Sequence, residues 1–244
     1  MSSIELTKKY WESITLNSQV NLSDTAALEA SQSEGRGLQG MEYSVKEITV
    51  ITEKDYFCKR PGLCRWILLK LVHPNQVLYL CAKIIGDDVE LRMYYNPESI
   101  IVGNREEQVN AQNVFMFENY EPHCLNDLLG LRYAKQINWT FDFGNGPEEV
   151  IFSQKGGIEL QGEAIHIASD FSSNNMATVS EYLAETETPE SEIMIVEIGP
   201  FPASGHSGYS PELSKIKDSK RGGEILFLVG NMVNEFEISI VRKS

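Results

Sequence analysis

Gln136–Ser153 reads QINWTFDFGNGPEEVIFS, and its alternation decides the fold class. Ile137, Trp139, Phe141 and Phe143 fall on one side of an extended chain, and Asn138, Thr140 and Asp142 fall on the other. Successive strand side chains point to opposite faces, so this is a strand with one apolar and one polar face. Gly144–Pro147 supplies a turn and Glu148–Ser153 a returning strand. The stretch is expected to form a β-hairpin near the centre of a mostly β protein and to found its C-terminal unit. Trp139 and Phe141 are expected to be buried and Asp142 exposed.

Strand signals continue towards the N-terminus. Leu63–Leu71 and Gln76–Ile85 are strongly apolar runs about Pro74-Asn75, the second broken by Lys83. Near-continuous hydrophobicity predicts a hairpin buried on both faces. After a Gly86-Asp87-Asp88 turn, Val89–Tyr95 alternates, with Leu91, Met93 and Tyr95 expected inward. In Met41–Glu53, Val45, Ile48, Val50 and Ile51 break strict alternation, which predicts a bulge or a bend. Ser3–Thr15 places Leu6, Tyr10, Trp11 and Ile14 on one helical face, behind a capping-box spacing at Ser2–Glu5. Pro122–Leu129, followed by Gly130, reads as a second short helix.

Towards the C-terminus, Gly156–Leu160, Glu163–Ala168, Met176–Ala184 and Glu192–Ile198 read as strands. Gly223–Val229 and Glu235–Val241 read as a closing hairpin with Phe236, Ile238 and Ile240 on its inner face. Gly199–Gly223 reads as a long exposed loop. The expected fold is mainly β with minor helices. Antiparallel meanders form either two packed β subdomains or one large curved sheet, because short turns suit antiparallel neighbours. The expected units are residues 1–96, a connecting segment 97–134 with a short helix, and residues 135–244.

The 244-residue chain is 42% hydrophobic, enough for a sizeable core. Its formal net charge of −14 disfavours nucleic acid and anionic membrane surfaces, both of which attract basic faces. No apolar run approaches the roughly 20 residues of a membrane span, and Met1–Ser13 lacks a signal-peptide pattern. Cys58, Cys64, Cys81 and Cys124 are few and show no CxxC spacing, which predicts free thiols and a cytoplasmic location.

Chemical motifs are weak. Asp142-Phe143-Gly144 copies the kinase magnesium tripeptide without the rest of the kinase set, so it reads as an outward residue, an inward residue and a turn. Ser207 in Gly205–Gly208 lacks nucleophile-elbow spacing, and Ser214-x-x-Lys217 lacks its companion motifs. His73, His123, His166 and His206 are far apart in sequence, and His166 reads as a satisfied strand residue. Neither catalytic residues nor a cofactor nor a metal is expected. Carboxylates such as Asp87, Asp88, Glu181 and Glu197 are abundant, and acidic pairs arise by chance in such a chain.

One local contrast stands out. Lys215, Lys217, Lys220 and Arg221, with Tyr209 upstream, form a basic cluster in an acidic chain. It reads either as a solvated mobile loop or, functionally, as a docking loop for an acidic partner or for another copy of this protein. The expected function is non-enzymatic and cytoplasmic, through protein–protein contacts. The alternative is a small apolar ligand held in a curved sheet, with Trp66, Tyr79, Tyr94, Trp139 and Phe141 lining the cavity. A hydrolase using Ser207 or an acidic pair is the third reading.

Overall fold

A computed structural model describes residues 3–23, 42–54, 61–74, 76–95, 99–102, 105–108, 114–116, 136–142, 147–154, 160–168, 172–185, 191–199 and 224–241. Helix α1 (Ser3–Glu12) stops earlier than its apolar stripe suggests, and the Ser13 hydroxyl donates to the Tyr10 carbonyl at its end. The strands are β1 (Gln19–Leu22), β2 (Glu42–Lys54), β3 (Pro61–His73), β4 (Gln76–Ile85) and β5 (Asp88–Tyr95). Short strands β6 (Ser99–Val102), β7 (Arg105–Gln108) and β8 (Val114–Met116) follow. The second half supplies β9 (Gln136–Asp142), β10 (Pro147–Gln154), β11 (Leu160–Ala168) and β12 (Ser172–Ala184). It ends with β13 (Ser191–Gly199), β14 (Glu224–Met232), a 3-10 turn (Glu235–Glu237) and β15 (Ile238–Val241).

Among the described residues thirteen strands make one sheet, and β6 and β7 pair separately. The β2–β3–β4–β5 meander follows from its turns. Gly86 takes φ +62° at the first position of the two-residue β4–β5 turn, a conformation glycine adopts without a Cβ clash. Beyond β5 the order runs β14, β13, β12, and β11 then pairs both with β12 and back with β2. Those pairings close an eight-stranded antiparallel ring. Residues 1–96 and 135–244 thus contribute strands to the same sheet. From Glu47, β11 leads directly to the start of β12, whereas the long way round reaches Leu183. The two routes meet about a dozen residues apart on β12, the stagger that tilted strands need to close a barrel.

The bulge expected in the first strand lies between Val45 and Glu47 and puts Val45 and Ile48 on the same face. Gly162 marks a close approach of β11 to β2, since a Cβ there would collide with the Thr52 backbone. The opening hairpin is present as β9 and β10, paired from Pro147↔Asp142 to Ser153↔Gln136. It sits at the end of the strand path, attached to β12, rather than at its centre. The side chains of Trp139, Phe141 and Asp142, and the Pro122–Leu129 segment, lie outside the described residues.

Both faces of β3, β4 and β5 are largely buried, as the apolar runs of β3 and β4 imply. Lys83 of β4 reaches Glu181 of β12, four strands away in either direction. Such a contact crosses the lumen, so the face carrying Trp66, Leu68, Tyr79, Tyr94, Met194 and Leu228 is the inner one. Leu91, Met93 and Tyr95 are buried together, as their alternation predicts, in the layer outside the ring. Trp11 of α1, Ile14 just past its end and Val20 of β1 belong to that layer. Phe236, expected on the inner face of a closing hairpin, is instead 86% exposed in the 3-10 turn, which interrupts the alternation before Ile238.

Candidate functional site

Two acidic regions stand out, one inside the ring and one outside. The inner region begins with Lys83, the cation that interrupts an apolar run on β4. Its ammonium donates to Glu181 Oε2, and the Trp66 indole donates to Glu181 Oε1 at 2.8 Å. The ammonium also lies 5.7 Å from the Trp66 ring centroid. A second unit repeats the pattern. Arg92 Nε lies 3.2 Å from Glu192 Oε2, and the Tyr94 hydroxyl donates to Glu192 Oε1 at 2.5 Å. Each carboxylate is therefore held by one cation and one aromatic donor.

Gly230 makes the second unit possible. It stands between Tyr94 and Glu192 in the strand register, and a Cβ there would lie 2.6 Å from Tyr94 Cδ1 and collide with the Met93 carbonyl. Its missing side chain lets the Tyr94 ring lie across β14.

Burial and charge set the protonation of this region. Burial opposes the Lys83 charge, but the charge and hydrogen bond of Glu181 outweigh it and raise the Lys83 pKa. Arg92 is raised in the same way, burial being overcome chiefly by Glu192. Burial, then the nearby Glu181 charge, raises the Glu192 carboxyl above the ordinary range. Burial, then Glu192, pushes the Tyr94 phenol well up, and burial with both carboxylates does the same to the Cys81 thiol. Phenol and thiol stay protonated at neutral pH, so neither is poised as a nucleophile.

Further along the lumen, Lys70 Nζ lies 2.7 Å from Glu47 Oε1, and Thr49 Oγ1 lies 2.9 Å from His166 Nδ1. A cavity of about 20 Å³ lies among these residues and Tyr79, room for a single water.

The outer region is a groove of about 400 Å³ beside the β4–β5 turn. Trp11, Val89, Leu91, Met232 and Val233 give it apolar walls. Asp87, Asp88 and Glu235 make it acidic, and no lysine or arginine lines it among the described residues. Three separate segments build it: α1, the tight turn with its acidic pair, and the chain leaving β14.

The sequence's candidates divide accordingly. Trp66, Tyr79 and Tyr94 do converge in the lumen. His166 has the expected polar partner. Cys64 and Cys81 are buried and free. Tyr209, Lys215, Lys217, Lys220, Arg221 and Ser207 lie outside the described residues, as do Cys58, His123 and Cys124. Among the described residues no three His, Cys, Asp or Glu side chains are grouped to hold a metal ion, and no helix is long and apolar enough to cross a membrane. Sequence reasoning missed Lys83, Arg92 and Glu192 as a set. Their signal was a charge set among apolar strand neighbours.

No family model matches this chain, and comparisons with curated proteins and with solved structures find no match.

Proposed function

We propose that this chain is a non-enzymatic cytoplasmic protein that works through contacts of its outer surface with other proteins. The observation that carries this reading is the ionic crosspiece in the lumen, where Lys83 meets Glu181 beside the Arg92–Glu192–Tyr94 unit. An apolar ligand would have to part these groups and leave buried charges without partners, at a cost of several kcal/mol. The groove offers the opposite properties, being open, apolar-walled and of one charge sign. The free thiols of Cys64 and Cys81 agree with a reducing compartment.

Affinity capture with the full chain, followed by hydrogen exchange on the complex, tests the reading. Protection is expected on outer segments and none on the lumen strands β4 and β12. A small molecule that co-purifies stoichiometrically and protects those strands would overturn it. That outcome would favour the ligand reading, for which Trp66, Tyr79 and Tyr94 already face the lumen.

A further inference from the structure

We propose that the β5–β14 seam is a proton-controlled weak point of the ring, closed while Glu192 holds a proton and opening more often once that proton leaves. At this seam the N-terminal and C-terminal strands of the ring meet. Its register runs only from Val229↔Tyr95 to Met232↔Arg92, the shortest pairing in the ring among the described residues. The start of β14 is engaged elsewhere, with Glu224, Ile225 and Leu226 paired to β8. Segments with little backbone pairing open at low free-energy cost. Side chains reinforce this one. Arg92 and Tyr94 of β5 pass over Gly230 of β14 and reach Glu192 on β13, the strand beyond, at 3.2 Å and 2.5 Å. One carboxyl group therefore straps β5 to the far side of its neighbour, and opening the seam parts it from both partners.

The strap closes on an excess of acid. Glu192 faces Arg92 and Tyr94 from β5, Lys83 and Cys81 from β4, and Glu181 from β12. Lys83 is already matched by Glu181. Arg92 answers to two carboxylates, because Glu90 lies one step back on the same face of β5 and also acts on its charge. Glu90 Oε2 is buried without a hydrogen-bond partner. Glu90, Glu181 and Glu192 thus share Lys83 and Arg92, and a proton completes the balance. Burial and Glu181 oppose the charge on Glu192 more than Arg92 and Tyr94 favour it, so the closed seam holds that proton more tightly than an ordinary carboxyl does. Opening returns Glu192 to water, where the proton leaves more easily. By linkage, closure is fully favoured below the ordinary carboxylate pKa, weakens as pH rises towards the raised one, and levels off above it.

Native-state hydrogen exchange of the full chain across pH is the test, with each rate referred to the intrinsic rate of its amide. Amides of residues 92–95 and 229–232 that pair across the seam are expected to lose protection by about tenfold per pH unit at most, the dependence that one proton imposes. Amides of residues 66–70 in β3 are expected to keep theirs. Glu192→Gln retains the length of the strap and cannot ionise, so seam protection should become independent of pH in that window. Tyr94→Phe removes a hydrogen bond that favours the carboxylate, so the loss should extend to higher pH. Circular dichroism confirms that each variant is folded, and if Glu192→Gln is not, the native profile together with Tyr94→Phe decides. A loss shared equally by every strand means that pH acts on the whole fold and overturns the proposal. Seam protection that ignores pH, a loss that persists undiminished in Glu192→Gln, or a window unmoved in Tyr94→Phe overturns it as well.

Discussion

The lumen and the groove both collect carboxylates, and they treat them in opposite ways. Inside the ring, Glu181 and Glu192 are 5% and 1% exposed, and each faces a cation and an aromatic donor. Outside, Asp87, Asp88 and Glu235 are exposed and share a groove with no basic side chain among the described residues. A buried carboxylate persists only when paired and hydrogen-bonded, because desolvation is costly. An exposed one persists unpaired because water solvates it. The inner charges are therefore committed to the fold, and the outer ones remain available to a partner.

The contrast breaks most visibly at Glu181. Replacing it with alanine strands Lys83 in the lumen and removes the acceptor of the Trp66 indole. The expected loss is about 3–5 kcal/mol, read from urea unfolding. Gly230→Ala comes next, since its Cβ would meet the Met93 carbonyl and the Tyr94 ring. A loss of about 1–3 kcal/mol is expected in the same measurement, with the Tyr94–Glu192 contact disturbed.

Acidity gives a smaller effect with a definite sign. The folded Glu192 carboxyl has a raised pKa, so its protonated form is favoured in the fold. That contribution is fully present below the ordinary carboxylate pKa and is lost as pH rises through the raised one. Stability of the native chain relative to Glu192→Gln should therefore fall with rising pH across that window. Lys83, also raised, contributes stability that is present below the ordinary lysine pKa and lost as strongly alkaline pH passes the raised one. Paired unfolding curves over pH read both signs. Smallest of all, Asp88→Asn with Glu235→Gln in the groove should change stability by no more than about 0.5 kcal/mol. A large loss there would erase the distinction between committed and available charge.

Local patterns in the sequence carried the strands but could not carry their closure. Alternation and turn residues mark β3, β4, β9 and β10, and broken alternation marks the bulge between Val45 and Glu47. Ring closure depends on β2 pairing with β11 and β5 with β14, contacts between strands far apart in the chain. Nothing in a short window encodes which distant edges meet. Alternation likewise groups Leu91, Met93 and Tyr95 on one buried face of β5 without revealing that this face lies outside the ring. Both faces of β5 are buried, so alternation separates its faces without saying which one closes around the lumen. Lys83 inside Val77–Ile85 was the legible trace of the inner site, since a cation in a doubly buried strand requires a partner. Its partner, Glu181, lies 98 residues away. The groove left less trace still, because Trp11, Asp88 and Glu235 come from three distant segments.

A double-mutant cycle between Lys83 and Glu181, followed by urea unfolding, tests the closed and charge-filled barrel most directly. Lys83→Met and Glu181→Met alone should each cost about 3–5 kcal/mol, and the double variant should cost far less than their sum. The expected coupling is on the order of 2–3 kcal/mol, because each single variant leaves the other charge buried without its partner. Costs that add to within about 0.5 kcal/mol would mean that the two side chains do not meet across the lumen, and the account of a closed, ion-filled ring would fail.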